Sequence, residues 1–375
     1  HTTTIAGLPV FSETLTRDAQ GRVVNKTENI NGAVTDYTYA YDSAGRLVET
    51  TRNGVTYGQY VYDGNSNRIG GTQAGAAINA QYDDQDRLIT YGSKTYQYTD
   101  NGELQSVTDS VDGTTTSFNY DIFGDTQTIQ LPNGSNVKYD VDGFNRRVNR
   151  IVNGAVNKRY LYQSQLQIAA ELAANGALQS QFVYGSKDHV PDYMIRGTTK
   201  YKFITDYLGS VRLVVNSTTG AIMQQIDYDE FGKVLINTNP GFQPFGFAGG
   251  LYDKDTGLVR FGVRDYDATT GRWTSKDPIL FAGGDSNLYG YVSNDPVNFI
   301  DPLGLAASFN FESAISTTLL GAAAGAIGGG GLLLPTGIGA IPGAVIGGIV
   351  GGIFGFTADA VHQAIGFVVP GYKDI

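Results

Sequence analysis

The sequence predicts a mainly β protein: stacked β-hairpins forming a spiral sheet or shell, followed by a glycine-rich, apolar C-terminal hairpin of helical character. Three observations predict it. The 375 residues include 50 Gly and 24 Tyr, well above ordinary usage, which favours tight turns and half-buried strands over helices. Tyr-Asp pairs recur at a period near twenty. Finally, the 46 positions between Glu312 and Asp359 hold no charged residue.

The repeats occupy most of the chain. Tyr-Asp pairs stand at Tyr41-Asp42, Tyr62-Asp63, Tyr82-Asp83, Tyr120-Asp121, Tyr139-Asp140 and Tyr228-Asp229. Degenerate copies at Tyr98, Tyr162, Tyr184 and Tyr207 fill the longer gaps and keep the step between 16 and 23. A fixed period of this size means one supersecondary unit stacked on the next. Tyr37-Thr38-Tyr39-Ala40-Tyr41 alternates as a half-buried strand does, Asp42-Ser43-Ala44-Gly45 supplies turn chemistry, and Arg46-Leu47-Val48-Glu49-Thr50 returns as the partner. Asn53-Gly54, Asn133-Gly134 and Asn153-Gly154 read as hairpin turns in which both residues take left-handed geometry. One hairpin cannot cover its own apolar face, whereas stacked hairpins bury a continuous one, with Tyr rings laddered along it. In this reading each Tyr packs and each Asp caps a turn.

Composition excludes several function classes. A net charge of −10 leaves no basic surface for phosphate neutralisation, so no nucleic-acid partner is expected. Zero Cys removes disulfides and thiolate chemistry. The three His residues (His1, His189, His362) are scattered without ligand spacing, so neither a metal nor any other cofactor is expected. The chain begins at His1 with no basic-plus-apolar leader, which reads as a fragment or processed piece.

Residues Gly262 to Leu305 read GVRDYDATTGRWTSKDPILFAGGDSNLYGYVSNDPVNFIDPLGL. This stretch, ending in Asp301-Pro302-Leu303-Gly304-Leu305 with Asp277-Pro278 upstream, resembles the core that closes the repeat shell of RHS-repeat (YD-repeat) proteins. These include bacterial polymorphic toxins, the C components of insecticidal toxin complexes, and the teneurins. Asp206-Tyr207-Leu208-Gly209-Ser210-Val211-Arg212 resembles the D-x-L-G-S-x-R signature that precedes this core, and the resemblance covers roughly residues 20 to 305. It implies three regions: a YD-repeat β-shell over 1–250, the RHS-associated core over 251–305, and a C-terminal effector over 306–375.

In many bacterial members the core is a self-cleaving aspartyl protease that cuts after the Leu of its terminal DPxGL. Here that implies a cut between Leu305 and Ala306. By resemblance, Arg264-Asp265 matches the R-D pair required for cutting, Asp277 matches the catalytic Asp of the first DPxG, and Asp301 that of the second. Paired acids suit peptide hydrolysis because one, ionised, activates a nucleophile while the other, protonated, stabilises the carbonyl. Arg264 could hold one of them ionised through a bidentate contact. The first motif departs from the pattern, with Leu280 at the position where many members have Gly. The competing reading makes these acids structural: they cap turns and pair with Arg264 and Arg272, as in the teneurins, which keep a related core without this processing.

The uncharged run is long enough for two membrane passes of about 20 residues each, Ser313–Leu334 and Ile338–Ala358, broken at Pro335-Thr336-Gly337. Gly321, Gly325 and Gly329 fall every four residues, and so do Gly339, Gly343, Gly347, Gly351 and Gly355, a step that places these five on one helical face. Gly is costly in a soluble helix, whereas lipid enforces backbone bonding.

The expected function is an encapsulating toxin piece, secreted or at the cell surface. Its effector would be released by autoproteolysis, delivered to a target-cell membrane, and inserted among its lipids through residues 313–358. An immunity protein and a secretion-system or chaperone partner are implied. Two rivals remain: an adhesive YD-repeat surface protein with a C-terminal anchor, and a carrier of an enzymatic toxin lying beyond Ile375.

Overall fold

The computed structural model describes residues 2–5 and 8–309. The expected C-terminal hairpin, its glycine ridge (Gly339, Gly343, Gly347, Gly351, Gly355) and the membrane segment 313–358 lie outside the described residues.

Among the described residues, 23 strands from Thr2 to Asn237 form one sheet. Every strand pairs antiparallel with its sequence neighbours, for example Ala33–Tyr41 with Leu47–Arg52, and Leu47–Arg52 with Val55–Tyr62. This meander is what short turns between half-buried strands allow. The sheet curls until its first strands meet its last. Phe11 and Ile30 pack with Ile204, Leu213 and Val215, and buried Arg212 reaches Glu28 at 3.0 Å.

Two turn types alternate along the meander. One is Asn-Gly with both residues left-handed: Asn53 (φ 50°) with Gly54 (φ 75°), and Asn153 (φ 51°) with Gly154 (φ 80°). This geometry matches strand twist. Asn133-Gly134 differs from expectation, because only Gly134 (φ 83°) is left-handed. Pro132 precedes Asn133 and favours the first central position of an ordinary turn; Gly134 N–H donates to Leu131 O and Leu131 N–H to Ser135 O.

The second type is the Tyr-Asp turn. Asp42 Oδ1 accepts the N–H groups of Ala44 and Arg46, and its Oδ2 accepts Arg46 Nε at 2.7 Å. The Arg46 guanidinium then lies 4.8 Å from the Tyr62 ring centroid, one repeat on. Arg22 over Tyr41 (4.6 Å) and Arg146 over Tyr162 (5.1 Å) repeat the contact. Four repeat tyrosines donate their hydroxyls to a carbonyl of the preceding strand: Tyr41 to Val23, Tyr62 to Leu47, Tyr82 to Arg68, Tyr162 to Arg147. The Tyr ladder is therefore interleaved with arginines rather than stacked ring on ring.

Residues beyond the large sheet form a four-stranded sheet (Leu251–Tyr252, Leu258–Phe261, Arg264–Asp267, Arg272–Trp273) and then irregular turns. Its aromatic centre is buried, with Tyr266 and Tyr291 at 4.3 Å and Trp273 and Tyr291 at 5.4 Å between centroids. This segment also runs along the row of Tyr-Asp turns and bonds to them in series. Asn298 accepts from Val23 N–H, Asn294 donates to Ser66 O, Arg272 to Asp86 O, Tyr289 to Gly102 O, and Arg260 to Asp125 and Asn145.

Candidate active site

Strand alternation separates the Arg264-Asp265 pair. Successive side chains point to opposite faces, so Arg264 faces the two Asp-Pro turns while Asp265 faces the repeat wall. There Asp265 Oδ2 meets Arg147 at 2.7 Å and Arg260 at 3.4 Å, fully buried. The structure brings Arg264, Asp277 and Asp301 together and does not bring Asp265 to them.

One guanidinium nitrogen of Arg264 sits 2.9 Å from Asp277 Oδ2 and 3.4 Å from Asp301 Oδ2. Arg264 Nε donates to the Gly304 carbonyl at 2.5 Å, Nη1 donates to Leu288 O, and the guanidinium lies 4.1 Å from the Trp273 ring centroid. This arginine is thus held on all sides, and it holds the chain immediately before Leu305.

Both acids start turns. Asp277 Oδ1 accepts Ile279 N–H at 3.0 Å, and Leu280 N–H bonds to Asp277 O. Asp301 Oδ1 accepts Leu305 N–H at 3.1 Å, and Gly304 N–H bonds to Asp301 O. Leu280, at the Gly position of the motif, keeps the turn by taking φ 53°; Gly304 takes φ 67° in the matching place. The substitution leaves the turn intact and strains its backbone.

Burial pushes the Asp301 carboxyl up to about 6; Arg264 and the N–H groups of Leu305 and Ala306 oppose the shift, and Asp277 adds to it. Burial likewise raises Asp277, with Arg264 and Ile279 N–H opposing and Asp285 reinforcing. Two raised acids thus face one cation.

The segment before Leu305 is seated by backbone contact that sequence reading missed. At Gly262 (φ 44°) an added Cβ would come 2.2 Å from Leu303 O, and at Gly304 one would come 2.4 Å from Phe261 O. Val263 N–H donates to Leu303 O at 3.1 Å. Two glycines thus let the turn at Leu303-Gly304 lie directly on the turn at Phe261–Arg264; the sequence signal was a glycine between two apolar strands. Past the expected cut, the strand Ser308–Phe309 pairs with Phe299–Ile300.

The competing pairing with Arg272 does not form. Arg272 donates to Asn67 Oδ1, Asp86 O and Asn287 Oδ1 instead, tying the segment to two turns of the sheet. A further Asp-Pro pair went unread: Asp295-Pro296. Its buried carboxylate accepts from Asn298, which joins Tyr41 and Val23. Among the described residues no cluster of three or more His, Cys, Asp or Glu could hold a metal.

A meandering repeat sheet closed by an internal segment defines a YD-repeat (RHS-repeat) shell protein. The Teneurin YD-shell family model matches residues 1–297, and the chain belongs to that family. It is 29% identical over 300 residues to Teneurin-4 of Mus musculus, covering 76% of this chain and 11% of that protein. It is 27% identical over 279 residues to the tRNA3(Ser)-specific nuclease WapA of Bacillus spizizenii, covering 70% and 12%. The crystal structure of TcdB2-TccC3-TEV superposes with a TM-score of 0.46 at 18% identity, over 80% of this chain and 19% of that one. The chain spans about a tenth of the length of these curated relatives.

Proposed function

We propose that this chain is the closing part of an RHS-type toxin that acts outside the cell that makes it. Its β-shell holds a C-terminal effector, and Asp277 and Asp301 cut the Leu305–Ala306 bond. The observation that carries this reading is the position of Arg264: it bridges both acids and grips the carbonyl of Gly304, one residue before the bond. Asp301 accepts the N–H groups on both sides of Leu305. In the reaction, the ionised member of the pair takes a proton from water as its oxygen adds to the Leu305 carbonyl carbon. The protonated member gives its proton to the Ala306 nitrogen, and the C–N bond breaks to leave a Leu305 carboxylate and an Ala306 amine. Intact-mass measurement after denaturation tests this: fragments ending at Leu305 and starting at Ala306 support it.

In the same reading, residues 313–358 insert into lipid and pack through the glycine ridge. Planar-bilayer recording with the 306–375 peptide tests that part. Gly347→Leu with Gly351→Leu should keep insertion and lose conductance, and unchanged currents would contradict it.

The teneurin likeness favours a second reading, an uncut adhesive shell. It predicts one intact chain in the mass measurement.

A further inference from the structure

One side chain holds the seat on which the chain before Leu305 lies. The turn Phe261–Arg264 carries Leu303 and Gly304 on its backbone. Arg260, just before that turn, donates Nε to the Gly262 carbonyl at 2.8 Å. Its other two nitrogens reach away from the turn. Nη2 donates to Asp125 Oδ1 at 2.8 Å and to Asn145 Oδ1, and Nη1 meets Asp265 Oδ2 at 3.4 Å. The guanidinium is buried, so these charge-assisted bonds are shielded from water.

Asp125 and Asn145 belong to two successive Tyr-Asp turns of the repeat sheet, 121–125 and 142–146. Asp121 N–H bonds to Asp125 O, and Asn145 N–H bonds to Asp142 O at a left-handed φ of 61°. The two acceptors stand 135 and 115 positions before Arg260 in the chain. Neither meets Arg260 until its own repeat has folded and the closing segment has been laid along it. Close packing does not fix the seat from every side. A cavity of about 50 Å³, lined in part by Arg146, Arg147, Arg260, Gly262 and Pro302, lies against it. With that space unfilled, the bonds of the guanidinium set where Gly262 stands, and so where Leu303 and Gly304 lie. A planar fork can reach three directions at once, which a lysine ammonium on a flexible stem does not reproduce.

We infer that Arg260 is a positioning residue that couples self-cleavage to the folding of the shell: it locks the seat of the Leu305–Ala306 bond to the repeat turns 121–125 and 142–146. The inference rests on the cleavage reading above. It adds an order of events. Arg264, Asp277, Asp301 and the bond they cut all lie within 264–306, yet they are aligned only after two distant repeats have folded. The cut therefore follows the container.

The test follows cleavage by intact mass during cell-free synthesis of the full chain. Melting temperatures are read on the same variants combined with Asp301→Asn, so that every chain compared is whole. Arg260→Lys keeps the charge and loses the fork; it should be cut about a hundredfold more slowly, the scale of misplacing a reacting bond by an ångström. Asn145→Gly suits φ 61° but removes an acceptor of Arg260. It should be cut about tenfold more slowly, a part of that cost, with a melting temperature close to wild type. Asn145→Asp keeps an acceptor and should restore the rate. A merely structural turn residue gives the opposite order, with glycine the better replacement. Asn153→Gly relaxes another left-handed position, whose side chain accepts from Asn136 N–H instead, and should be cut at wild-type speed. Wild-type speed in Arg260→Lys or in Asn145→Gly overturns the inference and leaves the cleavage reading standing. Equal slowing in Asn153→Gly overturns it too, because any relaxed turn would then slow the cut. If Arg260→Lys fails to fold, the Asn145 and Asn153 variants decide alone. An uncut wild type overturns both readings.

Discussion

Arg264 is the residue on which the site turns. It is a fully engaged cation between two acids, and it also fixes the chain they would cut. Asp301→Asn keeps the shape and removes the ionisable group, and the raised pKa of Asp301 means the fold already tolerates a neutral side chain there. The expected outcome is a folded, uncut chain, and Asp277→Asn should match it; a cut product of unchanged mass from either variant would remove that acid from the mechanism. Leu280 makes a separate prediction. A half-exposed leucine at φ 53° stores about 1 kcal/mol of backbone strain that glycine would release. Leu280→Gly should therefore raise the melting temperature by roughly 1–2 °C, and a fall on calorimetry would show that its side chain stabilises more than its backbone costs.

At the scale of the element, the repeat is a relay of Asp, Arg and Tyr. Asp42→Ala removes two accepted backbone bonds and frees Arg46 from its place over Tyr62. A loss of about 1–2 kcal/mol is expected, read as a lower urea midpoint; the same change at Asp112, whose bonds are local to Thr114, should cost less.

The strands, the Asp turns and the Asn53 and Asn153 turns were legible because each depends on residues adjacent in sequence. The arginine over the next repeat's Tyr was not, since its partner lies 16 to 19 residues on and either residue alone reads as surface or packing. Asn133-Gly134 misled because Pro132, one position earlier, selects the turn. In the site, Asp277, Asp301 and Arg264 were legible by resemblance. The turning of Asp265 away from Arg264, towards the repeat wall, follows from strand alternation, but only once Arg264–Asp267 is known to be a strand. The seat of Gly304 against Phe261 was invisible, because only the fold brings those two turns together.

Across the whole molecule, a curled sheet is closed by an internal segment that ties turn to turn, and the closure buries acids. Burial pushes Glu13 up to about 8, with Asp206 adding to the shift, and burial raises Asp229 and Asp295 to about 7. Their folded pKa values lie above the unfolded value near 4, so the folded state binds their protons more tightly. The stability they contribute is present at low pH and is lost as pH rises from about 4 towards about 8. Asp42 and Asp83 run the other way: burial works against ionisation, but bonds from Arg46 and Arg87 lower them, so their contribution is lost as pH falls below about 4. The melting temperature should peak at mildly acidic pH, about 4 to 5, and decline towards pH 8; a steady rise over that range would contradict the assignment of these acids.

The container role has its own check. If the shell shelters the tail as proposed, residues 306–375 expressed alone should be insoluble without detergent while the full chain is soluble, because 46 uncharged residues would then face water. Equal solubility would remove the reason for a shell.

The most direct measurement of the central claim is the intact mass of the purified, denatured full-length protein beside Asp301→Asn. The account predicts that wild type separates into one fragment ending at Leu305 and one starting at Ala306, while the variant stays whole. A single full-length mass for wild type would contradict it.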